Sequence, residues 1–338
     1  AWFWQQMHLA LPLFLQLLLV LLLSSFNLAV GFFETNRNKR EIQNLFGAYV
    51  PPAHVEQILA NPEAATMEGE QRNMTVLFAD VIGFTALSEA LTTAELKQLL
   101  NRYLTTVTHI IFEYQGTIDK YVGDMVMAFW NAPLHDANHA QNGVLTALAM
   151  QEKVNELKAE FIKDGLPPIA VGIGLNTGLM NVGDMGSSYR RAYTVLGDAV
   201  NLGSRLEGLT RFYGAEILVS DETRKHCPDV LFRRLDRIQV KGKNEPVDVF
   251  ELLCRKSQAS EKLQTHIACF EEALNAYQAQ NFAQAKALLE KLIVEDELLE
   301  NKRQSRALLY QRYLERIAEF EITPPPLGWA AVFVHTSK

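Results

Sequence analysis

Residues 73–253 predict an α+β fold in which helices cover a mixed sheet. Three observations carry that expectation. Short apolar runs of strand length alternate with longer segments of helical periodicity. The first run, Met74 to Ala79, is apolar apart from Thr75, as in a central strand buried on both faces. The segment Lys120-Tyr121-Val122-Gly123-Asp124 places a glycine turn between two further strand-like runs, which reads as a hairpin.

The elements follow in order. Met74 to Asp80 is the first strand, and the glycine of Gly83-Phe84-Thr85 turns the chain into a helix. Thr93 to Tyr114 is a long helix with Leu96, Leu99, Leu100 and Tyr103 on one face. Thr117 to Val122 and Met125 to Trp130 form the hairpin. Ala137 to Phe161 is a second long helix, ended by Gly165 and Pro167-Pro168. Ile169 to Asn176 and Met180 to Gly183 are strands, Asp198 to Tyr213 a helix, and Ile217 to Ser220 a strand. Phe232 to Val240 and Val247 to Leu253 close the unit, whose bounds are set at residues 72–255.

Residues 1–33 contain no Asp, Glu, Lys or Arg, and the run Leu9 to Phe33 exceeds the ~20 residues that cross a bilayer as a helix. They are expected to form a transmembrane helix, with Trp2 and Trp4 at one interface. A secretory signal fits poorly, because no basic start precedes the long apolar run. Arg37, Lys39 and Arg40 follow directly, which directs everything beyond residue 34 to the cytoplasmic side of an inner (plasma) membrane. Residues 34–71 read as a helical linker broken at Pro51-Pro52, with Ile42, Leu45, Phe46 and Tyr49 on one face. Residues 256–338 read as an α-helical extension: Leu263 to Gln280, Phe282 to Glu295 and Lys302 to Glu319, then a proline-rich turn and an apolar run at Ala331 to Val334. Phe270, Ala273, Leu274, Tyr277, Phe282, Ala285 and Leu289 loosely resemble a tetratricopeptide pair, with a plain helical hairpin as the alternative. One such unit buries its own face poorly, so it should pack on the preceding unit or on a protein partner.

Composition excludes some classes. The 338 residues carry a formal charge of −7, which gives no support to a nucleic-acid partner. Cys227, Cys254 and Cys269 lack metal-ligand spacing and argue against a disulfide framework. The chain opens on Ala1 rather than methionine, so an input domain upstream of it is expected to be missing from view.

Two carboxylates stand out. Asp80 ends the first strand, where an acid is ordinarily a cap or a solvated turn residue; Asp124 sits on the hairpin turn. Neighbouring strands that bring two carboxylates together set up a repulsion that a cation relieves. Oxygen ligands suit magnesium or manganese, and two such ions suit phosphoryl chemistry. The helix opened by Phe84 and Thr85 offers backbone N–H groups to a phosphate. Asn201 and Arg205, four apart in a helix, share a face, although an ion pair between Arg205 and Glu207 is the plainer reading of that arginine alone.

These stretches, together with Tyr193-Thr194-Val195-Leu196-Gly197-Asp198-Ala199-Val200-Asn201-Leu202-Gly203-Ser204-Arg205, resemble the catalytic domain of class III nucleotidyl cyclases over roughly Arg72 to Leu253. The resemblance implies a ferredoxin-like core and conversion of ATP to 3′,5′-cyclic AMP and pyrophosphate. It implies that Asp80, Asp124 and the Val81 carbonyl hold two divalent ions, Mg2+ or Mn2+, and that Asn201 and Arg205 orient the ribose and stabilise the transition state. It assigns Lys120 and Thr194 to the base: lysine donates to adenine N1 and threonine accepts from the amino group. Lys241 matches the triphosphate-binding lysine, with Lys243 as its neighbour in a shifted register. One protomer supplies the metal carboxylates and the other supplies Lys120, Thr194, Asn201, Arg205 and Lys241, so a homodimer with two sites is implied, supported by an arm at Asp184 to Ala192. The segment Phe46 to Pro51 resembles the connector that precedes bacterial cyclase domains, and an upstream sensor is implied. Two positions depart from the family pattern: Val81 replaces isoleucine, and Gly203, often alanine, lowers helix propensity by about 1 kcal/mol. A guanylate cyclase or a catalytically silent nucleotide-binding regulator are the alternatives. Lys120 opposes the first, and the intact metal and Asn/Arg residues oppose the second.

Overall fold

The computed structural model describes residues 16–30, 51–60, 69–187, 189, 191–240, 245–297, 307–326 and 329–335. The chain divides into two compact units, Ala1–Pro62 and Glu63–Lys338.

In the first unit, residues 16–30 form a helix (α1) whose Leu17, Leu21, Phe26 and Leu28 are exposed. Among the described residues, no helix is long and apolar enough to cross a membrane, so the transmembrane helix expected over residues 1–33 is not found there. The remainder of that span, and the linker face of Ile42, Leu45, Phe46 and Tyr49, lie outside the described residues. Pro52 opens helix α2, Pro52–Ala60, where its fixed φ suits a first helical turn; the helix expected before Pro51-Pro52 lies outside the described residues.

The second unit is built on one mixed sheet in the order β2-β3-β1-β4-β6-β8-β7-β9, with β5 paired to β4. The strands are β1 Glu70–Val81, β2 Thr117–Val122, β3 Met125–Trp130, β4 Val171–Gly186, β5 Arg191–Leu196, β6 Ile217–Ser220, β7 Val230–Val240, β8 Val247–Arg255 and β9 Phe333–His335. The helices are α3 Phe84–Ala90, α4 Thr93–Glu113, α5 His139–Lys163, α6 Asp198–Tyr213, α7 Asp221–Lys225, α8 Glu261–Gln278, α9 Phe282–Glu297 and α10 Ala307–Ile322. Sequence periodicity places most of these within a few residues. It splits β4 into two strands at Thr177-Gly178-Leu179, whereas the strand runs unbroken because β1 pairs antiparallel with it from Glu70↔Val182 to Val81↔Val171. It does not anticipate α7, which Ser220 caps by accepting from the Thr223 amide.

The central strand has two buried faces. Leu77, Ala79 and Val81 of β1 belong to a core with Leu99, Tyr103 and Val107 of α4 and Val144, Met150 and Phe161 of α5. The alternate residues Val76 and Phe78 face α6 at Gly203. A second core joins Leu202, Leu206 and Tyr213 of α6 to Phe270 and Tyr277 of α8, Leu289 of α9 and Tyr310 and Tyr313 of α10. The extension is therefore continuous with the preceding unit: its apolar faces are covered by α6 and the sheet, and β9 pairs parallel with β7. Buried polar groups join the parts. Asp236 accepts from the Tyr213 hydroxyl at 2.8 Å and from Arg316 at 2.7 Å, and the Tyr313 hydroxyl donates to the Leu235 carbonyl. A tetratricopeptide-like pair is not supported.

Two glycines set the helix-to-sheet distance. A Cβ on Gly174 of β4 would lie 2.2 Å from the Glu207 backbone nitrogen and 2.5 Å from the Gly203 carbonyl oxygen. A Cβ on Gly203 would lie 2.8 Å from Val76 Cγ1. Gly203 thus does more than lower helix propensity: it lets α6 lie close against β1.

Candidate active site

Asp80 stands at the end of β1, opposite Gly172 of β4. Asp124 follows Gly123, whose φ of 66 favours glycine although no neighbouring atom crowds the position. The hairpin folds over so that the Val81 amide donates to Asp124 Oδ2 at 3.1 Å. The two carboxylates expected to meet are therefore brought together, and Val81 contributes its amide to the carboxylate beside it. Burial, followed by the charge of Asp80, pushes the Asp124 carboxyl up to about 6.

A third carboxylate joins them that sequence reading did not place in the site. Glu207 of α6 is buried, and its carboxyl is pushed up to about 7 by burial and then by Asp80, with Arg211 opposing and Asp124 adding. Arg211 Nη2 lies 2.6 Å from Asp80 Oδ2 and 3.8 Å from Glu207 Oε1. Beneath them the fully buried Tyr103 hydroxyl has no hydrogen-bond partner among the described residues; burial and then the charges of Asp124, Asp80 and Glu207 push it well above the ordinary phenol range. Among the described residues no group of three or more acidic, histidine or cysteine side chains is placed to hold a metal ion; the chemistry of the Asp80 and Asp124 pair, two hard oxygen donors whose charges repel, fits a divalent cation that these two would hold.

Asn201 and Arg205 lie on α6 but are not brought to these acids. Two helical positions correspond to a rotation of about 200°, so Arg205 faces away from Glu207. Asn201 is exposed and Arg205 half-buried, while Leu202 and Leu206 beside them are in the core. An Arg205–Glu207 ion pair is excluded by the same geometry; the partner of Glu207 is Arg211.

Lys120 and Thr194 do meet within the chain. Lys120 Nζ is 3.5 Å from Thr194 Oγ1, with the lysine half-exposed and the threonine buried. Asp119, which sequence reading also missed, lies beside both. Phe84 and Thr85 open α3 after Gly83, whose φ is 76, and no side chain caps that helix. Phe84 packs on the core and Thr85 is exposed. Of the arm expected at Asp184 to Ala192, the described part is the β4–β5 hairpin, with Arg191 bridging Asp184 at 3.2 Å. Lys241 and Lys243 lie outside the described residues.

Residues 67–253, more than half of the chain, match the family of adenylate and guanylate cyclase catalytic domains, and the chain belongs to that family. It is 32% identical over 209 residues to adenylate cyclase 1 of Rhizobium meliloti, covering 62% of this chain and 31% of that protein. It is 36% identical over 219 residues to the adenylate cyclase of Anabaena cylindrica, covering 63% and 42%. The chain thus spans less than half the length of either relative. Among solved structures, the adenylyl cyclase CyaB from P. aeruginosa superposes with a TM-score of 0.53 at 36% identity, covering 57% of this chain and 100% of that one. The guanylyl cyclase Cya2 does so with a TM-score of 0.54 at 32% identity, covering 57% and 98%. The fold is shared by enzymes of both bases, so base choice has to be read from side chains.

Proposed function

We propose that this chain is an adenylate cyclase that converts ATP to 3′,5′-cyclic AMP and pyrophosphate at sites shared between two copies of itself. The observation that carries the choice of substrate is the Lys120–Thr194 pair. An ammonium donor 3.5 Å from a threonine hydroxyl complements adenine, which offers N1 as an acceptor and its amino group as a donor. Guanine, protonated at N1, would meet a second donor in Lys120. The adenylate cyclases among the relatives support the same choice.

Asp80 and Asp124 fit as the ligands of Mg2+ or Mn2+, two ions per site by family resemblance. Bound divalent ions lower the pKa of the attacking ribose hydroxyl and neutralise the triphosphate. The remaining work falls to the chain: Arg205 meets charge developing on the α-phosphate, Asn201 orients the ribose, and Lys241 binds the triphosphate. Because Asn201 and Arg205 point away from Asp80 in their own chain, they serve the carboxylates of a second copy, which supports a homodimer. The uncharged N-terminal segment is the sequence feature that supports a membrane anchor, and the basic residues after it support a cytoplasmic catalytic unit.

The test is turnover by the purified chain given ATP or GTP with manganese. Cyclic AMP formed at a kcat/KM well above that for cyclic GMP is expected; preference for GTP, or no turnover by a folded dimer, would refute the proposal.

A further inference from the structure

A threonine hydroxyl can donate or accept, so Thr194 alone does not distinguish an amino group from a carbonyl on a purine. Here its hydrogen is committed. Thr194 Oγ1 donates to Asp119 Oδ2 at 2.6 Å, and the Val195 amide approaches the same oxygen at 3.4 Å. The Asp119 side chain is 0% exposed. Its other oxygen, Oδ1, lies 3.1 Å from Lys120 Nζ, an ion pair without an aligned hydrogen bond.

This arrangement depends on an irregularity in β2. Successive strand residues point to opposite faces. The β2–β3 register shifts between Ile118 and Lys120, leaving Asp119 as the extra residue of a bulge. Aspartate and lysine can then both turn towards β5.

We propose that Asp119 is a positioning residue for purine recognition, a role that rests on the adenylate reading above. An acceptor-only carboxylate takes the threonine hydrogen, so that Thr194 Oγ1, approached by Lys120 Nζ at 3.5 Å, keeps a lone pair to receive an amino group. Its second oxygen holds the lysine ammonium alongside as the donor. One buried aspartate therefore sets both polarities, and the site presents donor and acceptor in the order that a 6-aminopurine requires.

The test uses the full chain with Asp119→Asn, and Asp119→Ser as a second variant, on ATP, GTP and purine riboside triphosphate, which lacks the 6-amino group. The wild type is expected to prefer ATP over the deamino analogue by about tenfold or more in kcat/KM. An asparagine amide can donate to Thr194 and free its hydrogen, so in Asp119→Asn that preference should fall to within about twofold of unity, chiefly through KM for ATP. If both variants lose activity on ATP and on the deamino analogue by the same factor, Asp119 only ties β2 to β5 and the proposal is overturned. Loss of fold in both variants, read by thermal melting, overturns it in the same way. A wild type that prefers GTP would overturn the adenylate reading itself, whereas a wild type that prefers ATP with an unmoved ratio in the variants removes only the role of Asp119.

Discussion

Arg211 Nη2 lies 2.6 Å from Asp80 Oδ2, so the carboxylate at the end of the central strand carries a guanidinium as counter-charge. A divalent ion held by Asp80, as proposed, would compete with that partner for the same oxygen. Arg211→Gln should therefore tighten metal binding. The pair is partly exposed and is worth little by itself, so the half-saturating Mn2+ concentration for activity should fall by only about two- to fivefold. A rise in that concentration would mean that Arg211 helps to assemble the ligands and does not compete with the metal.

Acid crowding makes stability depend on pH with a definite sign. The carboxyls of Asp124 and Glu207 are raised from the ordinary values of 3.8 and 4.5 to about 6 and 7, first by burial and then by Asp80. A raised folded-state pKa means that the folded protein binds more protons than the unfolded chain. The stability these groups contribute is therefore full below about pH 4 and is lost as pH rises through about 7. In chelator-treated protein, Asp124→Asn should melt close to wild type at pH 5 and above it at pH 7.5. Adding Mn2+ at pH 7.5 should reverse the order, because only the wild type regains its counter-charge. Equal pH slopes for the two proteins in chelator would remove the repulsion from the account.

Close packing of α6 gives a mechanical test. On Gly174 an added Cβ meets backbone atoms of Glu207 and Gly203 that cannot rotate aside. Gly174→Ala should destabilise by about 3 kcal/mol and lower the melting temperature by roughly 6–12 °C. On Gly203 the nearest atom is Cγ1 of the β-branched Val76 at 2.8 Å, so alanine should also destabilise, but by less than at Gly174, because side chains can shift where backbone cannot and alanine recovers about 1 kcal/mol of helix propensity. A Gly174→Ala protein that melts with the wild type would show that the α6–β4 distance is not what this glycine sets.

The hairpin, the Asp80 and Asp124 carboxylates and the helix bearing Asn201 and Arg205 were all legible in the sequence. Local patterns suffice for them: apolar runs, a glycine turn and a four-residue spacing. What was illegible depends on pairing between distant segments. Thr177-Gly178-Leu179 looks like a turn until β1 lies beside it. Asp119 carries no local signal, because only a bulge turns it the same way as Lys120. Glu207 and Arg211 read as surface charges on a helix, because nothing local shows that Gly174 draws that stripe down onto Asp80. The extension of residues 256–338 showed its helices in the sequence but not the core they share with α6, since α6 shows only its own apolar stripe.

The rotation between Glu207 and Arg205 leads to the sharpest test. Arg211 lies against Asp80 and Glu207 of its own chain, so under the proposed shared site Asn201 and Arg205, on the opposite side of α6, would act on the carboxylates of a second chain. Asp80→Ala and Arg205→Ala proteins should each be inactive. In a heterodimer of the two, one site collects both defects and the other collects neither. With free exchange, half of the dimers in an equimolar mixture are heterodimers with one working site, so activity should return to roughly a quarter of wild type. Mixing also separates this from sites built within one chain. The double variant carries both defects, and its heterodimer with wild type has one defect in each shared site. Excess double variant should therefore depress wild-type activity well below simple dilution. Single variants that fail to complement, and a double variant that leaves the wild-type protomer active, with exchange confirmed by tagged pull-down, would place each site within one chain.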